Sequence, residues 1–395
     1  MIIKPKIRGF ICTTAHPDGC AASVNEQIAR VQSLGPVKAT MPNVLVLGAS
    51  GGYGLASRIT AAFGCGAATL GVSFEKPPIE DKTASAGWYN NIAFDAAARQ
   101  AGLYASSLDG DAFSDDMKAR VIERIRADMG SIDLLVYSLA SPVRQHPRTG
   151  VLHRSAIKPL GEPVHIKTLN VERGVVHEVD LEPADEEEAA NTVAVMGGED
   201  WEFWVEALQS AGVLSQGFRT VAFTYIGSDL TWPIYWDGTL GKAKEDLDRA
   251  ARAITKKLAA LQGSGRVATL KAIVSQASAA IPAVPLYASL LFRVMKDAGR
   301  HESIIEHVYR LFATQLADGA SLNLDEAGRI RLDDWELAPE IQDEVRSRWS
   351  RVSTENLSEL ADLEGFRSDF LKIFGFGIDG VDYEADQDPT MGRSV

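Results

Sequence analysis

Tyr235 and Lys244 are the residues whose types and spacing could do chemistry. A phenol beside an ammonium can donate a hydrogen bond to an oxyanion: the positive charge favours the phenolate, and the bond strengthens as negative charge develops. Such a pair would stabilise an enolate. Lys244 stands out because of the helix that carries it. The apolar stripe of that helix runs Leu240, Leu247, Ala251, Ile254, Leu258 and Leu261, and Lys244 fills the stripe position left open between Leu240 and Leu247. A lysine there must pair or be solvated by something polar, because an uncompensated buried charge costs roughly several kcal/mol. The alternative is a side chain snorkelling from the first turn. Tyr235 stands nine residues upstream, which on a continuous helix at ~100° per residue would be the opposite face. A turn at Asp237-Gly238, with Thr239 or Asp237 as N-cap, ends the helix first and folds the phenol back towards the lysine.

The second constellation is VLVLGASGGYG at 44–54, a buried strand running into Gly48, Gly52 and Gly54 with a helix to follow. Glycines at such a turn let the backbone approach a pyrophosphate, and the helix start supplies unpaired N–H groups and the positive end of its dipole. The spacing is G-x-x-x-G-x-G, not the usual G-x-G-x-x-G, and the alternative is a tight turn that binds nothing. Context favours a cofactor. The next strand ends at Phe74-Glu75, twenty-one residues past Gly54, where a carboxylate would meet the adenosine ribose hydroxyls. Glu75 would repel a 2′-phosphate and so favours NADH over NADPH; Lys76 beside it works the other way.

The elements that must position these residues follow a βαβ pattern. A strand is expected over 5–14 and a helix over Ser23 to Leu34; after the strand Val44 to Leu47 come a helix from Leu55 to Gly64 and the strand Ala67 to Phe74. A helix near Ala84 to Gly102, a strand near Tyr104, a helix from Ser114 to Met129 and the strand Asp133 to Leu139 continue it. This is an α/β, Rossmann-like doubly wound parallel sheet with helices on both faces. Two strands around Glu172-Arg173-Gly174 and an acidic helix interrupt it; Thr220 to Ile226, Leu240 to Leu261 and Val267 to Ser275 resume it as strand, helix and strand. Beyond Ala288 the chain reads as helical to Phe374, with a short hairpin at Ile330 to Leu332 and a loose last dozen residues. One enlarged domain over 1–395 is expected: an N-terminal strand and helix (1–40), a dinucleotide-binding half (41–150), an inserted hairpin and acidic segment (151–202), a catalytic and substrate-binding half (203–295), and a C-terminal extension (296–395).

With these residues in view, the sequence resembles the long, NADH-dependent trans-2-enoyl-thioester reductases related to short-chain dehydrogenases: the FabV-type enoyl-ACP reductases and the trans-2-enoyl-CoA reductases. The resemblance runs from MIIKPKIRGFICTTAHPDGC through GASGGYGLASR, VSFEKP, LDGDAFS, VYSLASPVR, TYIGSDLTWPIYWDGTLGKAKEDL and SQASAAIPAVPLYASLLFRVMK to GFGIDGVDYEAD. Its most specific mark is the Tyr-x8-Lys spacing. The family implies NADH contacts at Gly48, Ala49, Ser50, Gly51, Gly52 and Tyr53, at Phe74-Glu75, Asp111-Ala112 and Leu139-Ala140, and at Lys244, Ile273, Val274 and Ser275. It implies that Tyr225 meets the substrate and that Tyr235 donates the proton. Gly51, Ser275 and Glu245 depart from the family pattern; Glu245 stands where a second lysine often follows and leaves Lys244 to act alone. The activity implied is reduction of the C2=C3 bond of enoyl thioesters of acyl carrier protein or CoA, the last step of fatty-acid elongation, with the apolar stretch 279–292 as a slot for the acyl chain. The alternatives are a short-chain-type carbonyl or alcohol dehydrogenase using the same tyrosine and lysine, and a non-catalytic NADH-binding regulator.

Composition narrows the field further. Across 395 residues, 46% are hydrophobic and 24% charged, which are globular values. Net charge is -13, which argues against a nucleic-acid binder, and most of the excess sits in nine acids within 180–202 and five within 379–388. Segment 141–173 is the exception: six bases (Arg144, Arg148, Arg154, Lys158, Lys167, Arg173) against Glu162 and Glu172 make a local +4 that is expected to face the acidic carrier. The three cysteines have no CxxC pattern and fit a reducing cytosol, and no histidine has metal-ligand spacing. A cytoplasmic monomer with no metal and no membrane segment is expected.

Overall fold

Apolar runs without polar alternation form the interior strands, because a parallel strand covered on both faces has no solvent side. Val44, Leu45, Val46 and Leu47 are all fully buried in β1 (Asn43–Leu47). The other strands of the sheet are β2 (Ala68–Ser73), β3 (Ala105–Asp109), β4 (Ile132–Tyr137), β5 (Leu214–Thr224), β6 (Ser264–Thr269) and β7 (Ile330–Arg331). The computed structural model describes residues 1–390 except Phe10 and Asp81. Its seven strands lie in the order β7-β6-β5-β4-β1-β2-β3, all parallel, with Val44 of β1 opposite Leu134 of β4 and Thr69 of β2. The order reverses between β1 and β4, the crevice where open α/β sheets bind ligands.

Both faces are covered. Helices Pro17–Leu34, Gly52–Ile59, Ala86–Gln100 and Ile304–Thr314 bury Val24, Leu55, Phe94 and Leu311 against one face. Helices Asp115–Asp128, Glu199–Ser210 and Thr239–Lys257 bury Val121, Trp204 and Leu247 against the other. A third core joins the helix Val284–Asp297 to Pro339–Arg351 and Leu363–Lys372, through Leu290, Val345 and Phe366. The inserted ribbon pairs Val164–Asn170 with Val175–Leu181 antiparallel, as its turn residues predict; Gly174 takes φ +66° there.

Several expectations need correction. The 5–14 strand is two short strands, Ile7–Arg8 and Ile11–Cys12, reversing through Gly9 at φ +60°; Phe10 lies outside the described residues. The following helix begins at Pro17, with His16 Nδ1 accepting the Gly19 N–H at 3.1 Å as its cap. The hairpin expected at 330–332 is there, with Ile330 bridged antiparallel to Leu324 and the Arg331 N–H donating to the Asn323 carbonyl at 2.8 Å, and its second arm also pairs with β6 as the seventh strand of the central sheet. Strand β6 stops at Thr269, so Ile273 to Ser275 lie in the loop beyond it. The C-terminal segment is not loose as far as residue 390: Gln387 bonds Asp18 at 2.8 Å and Tyr89 donates to the Pro389 carbonyl at 2.7 Å, while 391–395 lie outside the described residues. Among the described residues no helix is long and apolar enough to cross a membrane.

Candidate active site

The glycine turn sits at the C-terminal end of β1. Gly48, at φ +80°, lies so close to β4 that an added Cβ would stand 2.1 Å from the Ser138 carbonyl oxygen. At Gly54 a Cβ would fall 1.9 Å from the Gly48 oxygen, so the helix start is pressed onto the turn. Gly51 and Gly52 face open space, and the helix Gly52–Ile59 begins beside them without a side-chain cap. Its first N–H groups are therefore presented to an anion. These residues fit a dinucleotide's pyrophosphate.

The carboxylate at the end of β2 is held firmly. Glu75 accepts from Ser50 Oγ and Ser85 Oγ, both at 2.5 Å, and its N–H donates to Asp109 at 2.8 Å. Phe74 beside it is 75% exposed, an apolar face at the place an adenine would occupy. Further along the strand ends, Ala112 is fixed from outside: its carbonyl accepts from Trp204 Nε1 at 3.0 Å and lies near Lys118 Nζ. Asp111 caps the same turn by accepting from Phe113 N at 2.9 Å. Leu139 reaches over Gly48, and Ala140 is exposed. Tyr53 differs from the rest of its group. Its hydroxyl donates to the Lys271 carbonyl at 2.5 Å and its ring packs on Phe223, so only its backbone remains for a cofactor.

The loop after β5 carries the phenols. Tyr235 lies in a series of turns that ends at Gly238, the N-cap of the Thr239–Lys257 helix. Neither Thr239 nor Asp237 caps it: Thr239 Oγ1 donates instead to the Ala156 carbonyl at 2.5 Å, tying the helix start to the insertion. Gly241 explains how the loop folds back. Its N–H donates to the Tyr235 carbonyl at 2.9 Å, and a Cβ there would come within 1.7 Å of the Trp236 oxygen. Tyr235 is 8% exposed, packed with Ile166 and Ile281, and meets the Tyr225 ring edge-on with centroids 5.1 Å apart.

Neither the Tyr235 hydroxyl nor Lys244 Nζ has a hydrogen-bond partner among the described residues. Burial pushes the Lys244 ammonium down to about 8, against the opposing charge of Asp248 one turn on. Burial raises the Tyr235 phenol above its ordinary range, and the charge of Lys244 contributes no resolved share. Glu245 turns to solvent and pairs with Lys242 at 3.2 Å.

Three acceptor and donor groups escaped the sequence reading. Glu336, wholly buried, accepts from Tyr225 at 2.9 Å, from Tyr287 at 2.8 Å and from the Ala272 N–H at 2.6 Å. Lys271, 3% exposed, and Tyr287 complete this cluster. An acid within LDDWELAP reads as surface, and no local pattern marks it as buried. Ser275 caps the short turn that follows by accepting from Ser278 N at 3.0 Å, and Ile273 offers its carbonyl to Ser278 Oγ at 2.8 Å.

The local +4 of 141–173 is not a free basic patch. Arg144 is 1% exposed and bonds Glu199, Lys158 pairs with Glu188 at 2.6 Å, and Lys167 donates to the Trp349 carbonyl at 2.9 Å. Arg148 lies over the Phe203 ring at 3.8 Å and pairs with Glu206 at 3.5 Å. Acids of the neighbouring helices pair with three of the six bases, while Arg154 and Arg173 stay exposed.

Comparison with known proteins gives three adjoining family matches. A trans-2-enoyl-CoA reductase NAD(P)H binding domain matches residues 2–80, its catalytic region matches 82–317, and an enoyl reductase FAD binding domain matches 324–386. An enoyl-[acyl-carrier-protein] reductase [NADH] of Tolumonas auensis is 57% identical over 395 residues, covering 100% of this chain and 99% of that one. The enzyme named FabV from Aeromonas salmonicida is 58% identical over the same length, with the same coverage. The trans-2-enoyl-CoA reductase of Treponema denticola, solved in complex with NAD, superposes with a TM-score of 0.94 at 48% identity over 98% of each chain. That of Clostridium acetobutulicum, in complex with NADH, gives 0.96 at 40% over 100% of this chain and 99% of that one.

Proposed function

The chain belongs to the trans-2-enoyl-CoA reductase family, which takes in the FabV-type enoyl-ACP reductases, and on that premise we propose how its residues reduce an enoyl thioester. The reaction is NADH-dependent reduction of the thioester's C2=C3 bond. NADH, when bound, supplies the hydride that the β-carbon accepts. Tyr235 donates a hydrogen bond to the thioester carbonyl and stabilises the enolate; the α-carbon then takes a proton, directly or through water. Lys244 holds the nicotinamide ribose. The observation that carries this assignment is a buried phenol and a buried ammonium, carried by one loop and the helix start that follows it, neither with a hydrogen-bond partner among the described residues.

Gly48 to Tyr53 cradle the pyrophosphate in this reading, and Phe74 with Glu75 receive the adenosine. Asp111-Ala112, Leu139-Ala140 and Ile273 to Ser275 line the rest of the cofactor's path. Glu75, held by two serines, supports NADH over NADPH. The residues of 324–386 do not fit a flavin dinucleotide. Their strand β7 runs into LDDWELA and a helix without a glycine turn, and Gly375 is closed off by Cys20 N, 2.4 Å from an added Cβ. No step runs through a flavin or a metal. We read residues 1–395 as one enlarged domain, a cytosolic monomer acting on thioesters of acyl carrier protein or CoA.

The test is NADH oxidation with crotonyl-CoA and with matched enoyl-ACP, comparing the wild type with Tyr235→Phe. A loss in kcat of about a hundredfold or more is expected. Full activity in the variant would remove Tyr235 from the mechanism, and turnover of ketones in place of enoyl thioesters would favour the carbonyl-dehydrogenase reading.

A further inference from the structure

Glu336 joins the C-terminal extension to the strand ends behind the candidate site. It is 0% exposed, in the loop between β7 and the Pro339–Arg351 helix. Such a group is costly to bury unless its oxygens are satisfied. Both are: Tyr225 and Tyr287 approach Oε1, and the Ala272 N–H approaches Oε2. Tyr287 also accepts from Gln342 Nε2 at 3.0 Å, so its own proton goes to Glu336. Gln342 donates as well to the Glu336 carbonyl at 2.7 Å, fixing the main chain that carries the carboxylate. Three donors thus converge on one side chain. Only a carboxylate accepts all three; an amide must turn its NH2 either to Ala272 N–H or to the two phenols.

The position of these donors gives the cluster its meaning. Tyr225 directly follows β5 and stands edge-on to Tyr235. Ala272 is the residue before Ile273, at the root of the segment assigned to the cofactor. Lys271, almost fully buried, places its Nζ at 3.1 Å from the Ala272 carbonyl and lies within reach of the Glu336 charge. We propose that Glu336 is a positioning residue for the reduction: by accepting from Tyr225 and from Ala272 N–H, it sets the ring against which Tyr235 is held and the backbone that leads to Ile273. This rests on the assignment of Tyr235 as the hydrogen-bond donor. It also assigns Tyr225 a role. With its proton committed to Glu336, Tyr225 has only a lone pair to offer a substrate, and the thioester carbonyl is served by Tyr235 alone.

The experiment uses the full-length protein and a double-mutant cycle of Glu336→Gln and Tyr225→Phe. The readouts are kcat and KM for crotonyl-CoA, NADH affinity by fluorescence titration, and melting temperature. Glu336→Gln is expected to lower kcat about ten- to a hundredfold, as small misplacements of reacting groups do. KM and NADH affinity should stay within about threefold, well inside that drop. The double variant should be little worse than the poorer single one. Unchanged kcat in Glu336→Gln, or independent effects in the cycle, would overturn the proposal. If Glu336→Gln does not fold, Tyr225→Phe is compared with Tyr287→Phe, each of which removes one hydroxyl from the same oxygen. A larger kcat loss at Tyr225 supports positioning through its ring, and equal losses or none overturn it. Tyr235→Phe is measured alongside: if it keeps activity, the assignment of Tyr235 fails, whereas a dead Tyr235→Phe with an active Glu336→Gln refutes the role of Glu336 only.

Discussion

If Lys244 holds the nicotinamide ribose as proposed, NADH binding should weaken as the pH rises past 8. Burial lowers its ammonium from 10.5 to about 8 in the free protein. A ligand that hydrogen-bonds the ammonium stabilises the charged form and raises that value again, so binding draws in a proton once the pH passes 8. Below it, Lys244 is already charged and affinity is flat. At pH 9 roughly one free molecule in ten carries the charge, so NADH should bind about tenfold more weakly than at pH 7, or about 1.4 kcal/mol. Fluorescence titration across pH 7 to 9.5 gives the slope. Calorimetry in two buffers of different ionisation enthalpy counts the proton. Lys244→Arg supplies the control, since a guanidinium stays charged throughout this range; its affinity is expected to be weaker but level with pH. A level profile in the wild type, or the same slope in the arginine variant, would refute the reasoning.

Glu75→Gln can accept from one of Ser50 and Ser85 and donate to the other's hydroxyl while removing the charge, and should raise kcat/KM with NADPH relative to NADH by about tenfold or more; an unchanged ratio in steady-state assays would remove Glu75 from cofactor choice. Lys118→Met strands the buried Asp200 carboxylate, which now bonds Lys118 at 2.9 Å and Tyr137 at 3.1 Å, and should cost about 3–5 kcal/mol of unfolding free energy in denaturant titration. Adding Asp200→Asn should recover part of that loss, and a purely additive double variant would show that the pair is not coupled.

The dinucleotide half was legible because its signals are local. A fully apolar strand, a glycine turn, a helix start and an acid at the next strand end each follow from neighbouring residues. The Lys244 stripe position was legible for the same reason, as was the ribbon turning at Gly174. What escaped depends on distant partners. The local hairpin at Ile330 and Arg331 could be read from the sequence, but their pairing with β6, which makes them the seventh strand of the sheet, could not. Glu336 looks like any other acid in a polar loop until Tyr225, Tyr287 and Ala272 close around it. The basic run of 141–173 is less positive than its linear count, because the acids that pair three of its bases, Glu188, Glu199 and Glu206, lie in the next helices along the chain.

The contribution of residues 330–336 to the sheet and to the tyrosine cluster has a consequence for synthesis. Tyr225 and Tyr235 leave the ribosome about a hundred residues before Glu336, a lag of roughly 5–20 s at ordinary translation speeds. Throughout that interval the Tyr225 hydroxyl lacks the Glu336 carboxylate, and from the emergence of Thr269 to that of Ile330 β6 has an open edge. The nascent chain can complete its cofactor cradle early, but its catalytic end is assembled among the last, which makes the late chain the stage at which exposed strand edge invites misassembly.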